Sequence, residues 1–368
     1  MPGLLPFLVS LLVQDLHDPG YSIPIIDLND KVNLQVIVDR EADQYLGHVT
    51  TAMLEDGRTI FAVYPKGHGK GAIVMKRSDD GGLSWSERLP VPASWESSKE
   101  VPTLFRSTDA KGIRRFILHS GLYPIRQAVS EDDGKTWSEL EPIGDYGGIV
   151  ASASMVRCND GSYLAMFHDD GRFIGEKFKP KSNYPMHVYQ IRSRDGGLSW
   201  SDPEVAASHP QAHLCEPGIF RSPDGKTLLV LMRENSRKFN SFFMTSSDEG
   251  MSWSAPRQTT GALTGDRHTG TYTSDGRLFL SFRDTTRQSN TKGDWVAWVG
   301  TFDDIIEGGE GQYRIRLKDN LHRWDCSYPG VEILPDDTLV CTTYGHWDKG
   351  QPPYILSIRF KLEDIETP

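Results

Sequence analysis

The sequence has few cysteines, and they follow no pattern of a metal site. The 368 residues contain four, and their spacing matches no metal-binding template. We therefore expect free thiols at Cys158, Cys215, Cys326 and Cys341. This number of cysteines is too small to indicate a redox compartment.

Positive charge is also in short supply. The 40 Lys and Arg residues are outnumbered by 50 Asp and Glu residues, which gives a formal net charge of −10. No basic run is present. A nucleic-acid partner is therefore not expected, because such partners need a cationic surface.

Long hydrophobic runs are lacking too, so we expect no membrane span. The apolar run at residues 4–13 is too short to cross a bilayer. It has neither the basic start nor the small-x-small cleavage site of a secretory signal. A signal peptide and an ordinary N-terminal segment both stay open for residues 1–30, and we slightly favour a secreted or periplasmic protein. Residues 31–368 are predicted to form a single domain.

Turn chemistry, by contrast, is abundant. The 35 glycines and 10% aromatic residues suit many short strands joined by tight turns. Four stretches read Ser-x-Asp-x-Gly-x-x-Trp, in which Asp can accept amide hydrogen bonds and Gly can adopt positive φ. Their tryptophans lie 52, 63 and 53 residues apart, which predicts a repeat protein. The four stretches are Ser78/Asp80/Gly82/Trp85, Ser130/Asp132/Gly134/Trp137, Ser193/Asp195/Gly197/Trp200 and Ser246/Asp248/Gly250/Trp253.

Each repeat also contains a hairpin of two apolar, β-rich runs around an acidic turn residue. Six such turns predict six blades of an all-β propeller. The turn acids are Asp56, Asp109, Asp160, Asp224, Asp275 and Asp336. Blade 5 has a degenerate copy of the Ser-x-Asp-x-Gly-x-x-Trp motif, called the Asp motif below, at residues 301–304. Blade 6 has only three strands before the chain ends, so we expect residues 32–38 to supply its fourth and to close the open sheet edge.

The hairpins predict a ring of side chains at the axis, because residues equally far from a turn meet at the opposite end. Counting eight residues back from the turn acids gives His48, Ser152, Glu216, Arg267 and Tyr328, with Glu100 or Val101 in blade 2. Counting eight forward gives Tyr64, His168, Arg283 and Tyr344, with His119 and Arg233 one or two places later. Such groups are costly to bury. They favour a functional pocket over the alternative, a wet structural channel.

The Asp motifs resemble the Asp-box, or BNR repeat, of sialidases and related propellers. That resemblance implies a six-bladed propeller with four-stranded antiparallel blades. Two blocks are also similar to sialidase active-site blocks: Glu216 and Arg233 flank a Pro-Asp-Gly turn, and Tyr328 precedes a Leu-Pro-Asp turn. The resemblance implies that Tyr328 is the nucleophile, that Glu216 activates it, and that Arg233 binds the substrate carboxylate.

This assignment is chemically coherent. A keto-acid sugar carries a carboxylate on its anomeric carbon, which would repel a carboxylate nucleophile. A phenol is neutral until it reacts, and its pKa near 10 explains why it needs a base such as Glu216. Tyrosine is the known exception to the two-carboxylate rule of glycosidases. Arg233 can hold a carboxylate through two parallel hydrogen bonds.

Two departures from the sialidase pattern stand out. The blade 1 segment that carries an Arg in sialidases here contains His48 and no Arg. The loop that carries their acid/base Asp is residues 65–70 here, with His68 and no acid. A histidine titrates near neutrality, so His48 and His68 are candidate proton donors. Lys66, Lys70, Asp169 and Asp170 are further candidates for the missing charges.

The leading interpretation is a sialidase-like exo-glycosidase that removes a terminal, acidic sugar from a glycan. Its predicted catalytic residues are Tyr328, Glu216 and His48. The predicted substrate-binding residues are Arg233, Arg267, Arg283, His68, Glu100, His168, Tyr64 and Tyr344. One alternative is a histidine-dependent glycosidase or lyase acting on a uronic acid or a rhamnoside, and another is a non-catalytic glycan-binding propeller. No cofactor and no metal are expected, because no Asp-rich loop has the spacing of a calcium site.

Overall fold

A computed structural model describes residues 20–366, which form six β-sheets arranged as the blades of a propeller. The predicted all-β, six-bladed architecture is confirmed. Blade 1 contains Thr50–Met53, Ile60–Pro65 and Ile73–Ser78, and blade 2 contains Thr103–Thr108, Arg114–Ser120, Arg126–Ser130 and Glu141–Pro142. Blade 3 contains Val150–Arg157, Tyr163–Asp169, His187–Ser193 and Glu204–Ser208, and blade 4 contains Leu214–Arg221, Leu228–Glu234, Phe242–Ser246 and Arg257–Gln258. Blade 5 contains Gly265–Tyr272, Leu278–Asp284, Trp295–Gly300 and Tyr313–Lys318, and blade 6 contains Gly330–Ile333, Leu339–Gly345 and Tyr354–Phe360.

The ring is closed by an early strand, as predicted. Gln35–Asp39 pairs antiparallel with Tyr354–Phe360 and becomes the outer strand of blade 6. The strand begins later than the predicted range because Val32–Leu34 forms a single 3-10 turn. This pairing joins the two ends of the domain and covers the edge that blade 6 would otherwise expose.

Two blades depart from four strands. Blade 1 has three paired strands, and its outer segment adds two hydrogen bonds, Ser86 N to Arg77 O and Leu89 N to Met75 O, both 2.8 Å. Blade 5 gains a fifth strand, Ile25–Asp27, which runs parallel to Tyr313–Lys318. The division of the chain at residue 31 stays a prediction. The possible signal sequence falls mainly on residues 1–19, outside the described residues.

Helices are few and short. Phe302–Glu307 occupies the place of the decayed Asp motif in blade 5. Thr301 caps it by accepting from Asp304 N at 3.1 Å, while Asp304 Oδ2 accepts from Thr301 N at 2.7 Å, a reciprocal capping box. The other helical segments are Ala93–Ser97, Glu176–Phe178, Gly261–Leu263 and Leu362–Glu366. Within residues 20–366, no helix has the length and apolar character needed to cross a membrane.

The hydrophobic core runs around the ring between neighbouring blades. One cluster joins Phe279, Trp295 and Ala297 of blade 5 to Leu356 and Ile358 of blade 6, all almost fully buried. Equivalent clusters join blades 1 and 2, blades 3 and 4, and blades 4 and 5. The cysteines are free, as predicted, and all are buried in this packing.

The Asp motifs form the predicted turns. In blade 3, Asp195 Oδ1 accepts from Ser199 N at 3.0 Å, and Ser193 Oγ accepts from Gly197 N at 2.8 Å. Gly197 has φ +93°, a conformation that glycine adopts without strain. The turn also touches the inner hairpin of blade 2, where Ser107 Oγ donates to Gly196 O at 2.7 Å. The motifs therefore lie at the end of the blades that carries the turn acids, remote from the predicted ring.

We expect Asp195→Ala to lower the free energy of unfolding without changing any activity. The carboxylate accepts hydrogen bonds from the amides of Leu198 and Ser199 and from two hydroxyls. Losing this set should cost about 2 kcal/mol in urea denaturation. Asp202→Ala is the matched control, since within residues 20–366 that acid pairs only with Lys177 on the surface, at 2.9 Å. Equal effects of the two substitutions would contradict a structural role for the motif.

The axial ends of the inner strands share an unusual backbone. His48, Ser152, Glu216, Arg267 and Tyr328 have φ of 56°, 40°, 48°, 56° and 127°. In blades 3, 4 and 5 the strand pairing shifts register at this point, which is the signature of a β-bulge. Five of the six positions that the sequence places on the ring therefore have positive φ, and three of these lie at a β-bulge.

Candidate active site

Tyr328 and Glu216 are in direct contact at the axis. The Tyr328 hydroxyl donates a hydrogen bond to Glu216 Oε1, and Arg233 Nη1 donates to the same oxygen at 2.6 Å. Burial opposes ionisation of Glu216, but the Arg233 charge outweighs it and holds the pKa of this carboxyl below its ordinary value. Burial and the Glu216 charge raise the pKa of Tyr328 well above 10. The pair is thus a neutral phenol beside an ionised carboxylate.

Asp266 is an anion at the centre of an arginine cluster. Its Oδ1 lies 2.5 Å from Arg237 Nη1 and 3.0 Å from Arg233 Nε, and its Oδ2 accepts from Arg283 Nε at 2.9 Å. Burial disfavours its charge, yet the three guanidinium groups hold the pKa of Asp266 well below its usual range. Sequence reasoning missed this residue. It immediately precedes the ring position Arg267, so the bulge places both on the site.

The arginines differ in how many of their guanidinium N–H groups already have a partner in the protein. The guanidinium of Arg233 is occupied by Glu216, by Asp266 and by Asn235 Oδ1, the last at 2.6 Å from Nη2. Arg267 lies across the Tyr328 ring, 5.5 Å from its centroid, and burial lowers its pKa. Two buried atoms at this point, Arg267 Nη1 and Glu216 Oε2, have neither a hydrogen bond nor an ion pair within residues 20–366. They are a donor on the guanidinium over the phenol ring and an acceptor on the carboxylate that the phenol hydroxyl contacts.

His48 lies next to Tyr328, with ring centroids 4.5 Å apart. Its Nδ1 accepts from Gly69 N at 3.1 Å, and its Nε2 lies 3.3 Å from the Tyr344 hydroxyl. Burial, followed by the charge of His68, lowers the pKa of His48 well below 6.5. The imidazole is therefore neutral at pH 7, and both of its nitrogens are engaged within the protein.

Asp325 is a second carboxylate that the sequence did not reveal. Its Oδ1 accepts from the hydroxyls of Tyr45 and Tyr344, at 2.9 and 3.1 Å, and lies 3.3 Å from His68 Nδ1. Its Oδ2 lies 2.8 Å from His346 Nε2. The loop that carries it has no hairpin register, so counting from a turn could not locate it.

The carboxyl of Glu100 differs in protonation state from the ionised carboxylates of Glu216 and Asp266. Its Oε1 accepts from Val101 N at 3.0 Å and lies beside Gly69, in the loop where sialidases carry their acid. Burial is the main cause that raises the pKa of Glu100 to about 8, and the Glu216 charge adds to it against the Val101 hydrogen bond. At neutral pH this side chain is mostly protonated.

The remaining predicted residues divide into two groups. His168 is buried under Glu216 and its Nδ1 accepts from Glu216 N at 3.2 Å, and burial lowers its pKa to about 4. Tyr64 lies outside this network, because its hydroxyl donates to Asp39 Oδ2 at 2.5 Å, between blades 1 and 6. The structure thus brings Tyr328, Glu216 and the arginines together and leaves Tyr64 apart.

The comparisons with known proteins agree with this architecture. A family model of BNR repeat-like domains matches residues 182–308. No curated protein matches the sequence. A structure of a protein of unknown function from Dyadobacter fermentans is similar with TM-score 0.70 and 16% identity, covering 88% of this chain and 97% of that one.

Two sialidase structures are similar as well. The intramolecular trans-sialidase from Ruminococcus gnavus aligns with TM-score 0.62 and 14% identity over 88% of this chain and 96% of its own. The NanB sialidase from Streptococcus pneumoniae aligns with TM-score 0.59 and 13% identity over 90% and 71%. Identities this low establish the fold alone. The chain is a six-bladed β-propeller that shares the fold of these sialidases, and its residues 182–308 match the BNR repeat-like model.

Proposed function

We propose that this protein is a glycoside hydrolase that removes a terminal acidic sugar from a glycan, with Tyr328 as nucleophile and Glu216 as its base. The observation that carries the proposal is the hydrogen bond from the Tyr328 hydroxyl to Glu216 Oε1. A glycan-binding propeller would gain nothing from a phenol whose proton already points at an ionised, buried carboxylate. The sialidases among its structural relatives support the same class of chemistry.

The proposed reaction has two displacements. Tyr328 Oη attacks the anomeric carbon and gives its proton to Glu216, while the glycosidic C–O bond breaks and its oxygen takes a proton from Glu100. A water molecule then attacks the same carbon and gives a proton to Glu100, while the bond to Tyr328 breaks and Glu216 returns the phenol proton. The sugar leaves with retained configuration, and each group returns to its initial protonation state.

Glu100 is the proposed proton donor because it holds a proton at neutral pH. Its pKa of about 8 lies close to the operating pH, where general acid catalysis is most effective. His48 is a poorer donor, since burial keeps it neutral and its nitrogens are engaged by Gly69 and Tyr344. We assign His48 to packing against the Tyr328 ring.

Arg267 is the proposed partner of the substrate carboxylate. Arg233, Arg237 and Arg283 are tied to Asp266 by ion pairs, whereas Arg267 Nη1 is a buried donor without a partner in the described part of the chain. A carboxylate beside the Tyr328 ring would satisfy this donor, and a sugar hydroxyl could donate to Glu216 Oε2. A terminal acidic sugar carries both a carboxylate and a hydroxyl on one ring.

The decisive experiment is a screen of chromogenic glycosides that includes a sialic acid, a uronic acid and a rhamnose. We expect turnover of an acidic sugar and none of the rhamnoside, because the latter leaves Arg267 unpaired. Turnover of the rhamnoside alone would support the alternative, a neutral-sugar glycosidase. Saturable glycan binding without any turnover would overturn the hydrolase and favour a lectin.

Glu100→Gln should change the pH profile in a defined direction. The wild-type kcat/KM is expected to fall as the pH rises through about 8, where Glu100 of the free enzyme loses its proton. The variant should lose about 10²-fold in kcat on a glycoside with a poor leaving group and much less on a nitrophenyl glycoside. The pH profile of the variant should also lack the fall above about pH 8.

The raised pKa of Glu100 can also be tested by a stability measurement, which does not depend on enzyme activity. A raised pKa means that native Glu100 binds its proton more tightly than the unfolded chain does, so its contribution to stability is lost as the pH rises from about 4 to about 8. Glu100→Gln should therefore melt above the wild type at pH 9 and close to it at pH 4. Glu87→Gln, on the surface of blade 1, is the matched control. Identical melting curves of wild type and Glu100→Gln at pH 9 would argue against the raised pKa.

A further inference from the structure

Three side chains outside the proposed catalytic groups converge on one point. His322, Asp325 and His346 each direct one potential metal-ligand atom there, and these atoms lie within 4.8 Å of one another. His346 Nε2 and Asp325 Oδ2 are 2.8 Å apart, a hydrogen-bond distance that is about 0.5 Å shorter than the separation of two ligands of a tetrahedral zinc ion. The imidazoles of His322 and His346 stack with centroids 4.6 Å apart.

His322 has an unexplained polar atom in this cluster. Its Nδ1 is buried and has no hydrogen-bond partner within residues 20–366. The neighbouring ring of Trp324, whose centroid is 4.7 Å away, offers only an edge contact. A buried imidazole nitrogen without a partner is unfavourable by itself, and a bound cation would satisfy it.

The cluster is held in place by groups around it. Asn320 Oδ1 accepts from His346 N at 3.0 Å, and Asn320 Nδ2 donates to His322 O, so one side chain fixes both histidine backbones. Tyr45 and Tyr344 donate to Asp325 Oδ1 and leave Oδ2 facing His346. Such outer contacts are what orients the ligands of protein metal sites.

We propose that His322, Asp325 and His346 bind a divalent first-row transition metal ion such as zinc. Two imidazoles and one carboxylate are a donor set suited to such ions, whereas calcium and magnesium take oxygen ligands. The spacing of 322, 325 and 346 matches no sequence template, which is why the sequence indicated no metal. The proposal does not depend on the hydrolase assignment.

The proposed ion has a mechanical consequence for the site. The segment from Asn320 to Cys326 leads directly into Tyr328, and Arg283 Nη1 donates to the carbonyls of Trp324 and Cys326. The ion would tie this segment to His346 in blade 6. It would thereby fix the loop that presents the phenol.

The test uses the full chain, stripped with EDTA and titrated with Co²⁺ and then Zn²⁺. We expect the protein to bind one equivalent of Co²⁺, which gives visible absorption bands, and Zn²⁺ to displace it. Binding should also change the fluorescence of the exposed Trp324, and this change should be absent in Trp324→Phe. His322→Gln should weaken binding at least tenfold. Because the His322 ring makes no hydrogen bond within residues 20–366, this variant should fold, which circular dichroism will check.

His213→Gln in blade 4 is the matched control and should bind Co²⁺ as the wild type does. Zinc should raise the melting temperature of the wild type and of His213→Gln but not of His322→Gln. Wild-type protein that takes up no Co²⁺, or equal affinity in wild type and His322→Gln, would overturn the proposal.

Discussion

Tyr328→Phe is expected to reduce kcat/KM on the best acidic glycoside by at least about 10³-fold, or about 4 kcal/mol of transition-state stabilisation. The change removes one oxygen atom from the proposed nucleophile and leaves the ring in place against His48 and Arg267. Glu216 Oε1 keeps its hydrogen bond from Arg233, so folding should be retained. Initial rates and the melting temperature will be measured on the same preparation.

Two variants complete this experiment. Tyr272→Phe is the matched control, because Tyr272 lies at the far end of an inner strand in blade 5 and, in the described part of the chain, its hydroxyl donates only to Arg221 O, at 2.9 Å. It should turn over substrate at the wild-type rate. Full activity in Tyr328→Phe, together with loss of activity in His48→Ala, would refute covalent phenol chemistry and favour the histidine-dependent alternative.

Asp266→Asn is expected to destabilise the fold by about 3–5 kcal/mol. The substitution removes the anion shared by Arg233, Arg237 and Arg283, so three guanidinium groups would face one another with only Glu216 to compensate them. Urea denaturation at pH 7 measures the loss. Asp303→Asn, at an exposed position, is the control and should change stability little.

The pH dependence of this loss has a definite sign. The pKa of Asp266 is held far below its unfolded value near 4, so its contribution is present above about pH 4 and is lost as the pH falls below that value. The difference in stability between wild type and Asp266→Asn should therefore shrink on acidification. A difference that is constant from pH 3 to pH 7 would contradict the ionised role of Asp266.

Most of the fold could be predicted because it repeats. The Ser-Asp-Gly-Trp motif recurs in four blades and the hairpin acid in all six, and recurrence makes even weak local signals reliable. The strand near Val38 that closes blade 6 followed from counting strands. The parallel strand Ile25–Asp27 could not be foreseen, since it carries no motif and depends on an exposed edge of blade 5.

The site was predictable only where it shares the register of the hairpins. Glu216, Tyr328 and Arg267 fall on the ring because each lies a fixed distance from a turn. Asp325 and His346 lie in loops without such a distance, so their meeting depends on tertiary structure alone. The protonation states depend on burial, which a sequence does not show: burial lowers the pKa of His48 and raises that of Glu100, so we propose Glu100 as the proton donor, while the role predicted for His48 stays a prediction.

The positive-φ backbone at the ring allows different side chains to occupy equivalent positions in five blades. Five blades present an imidazole, a hydroxyl, a carboxylate, a guanidinium and a phenol from the same bend, so one group can be exchanged without rebuilding the strand beneath it. The bend costs each of these side chains about 1 kcal/mol that glycine would not incur. At Glu216, Arg267 and Tyr328, where the proposed function needs the side chain, we therefore expect replacement by glycine to remove activity and to relieve backbone strain.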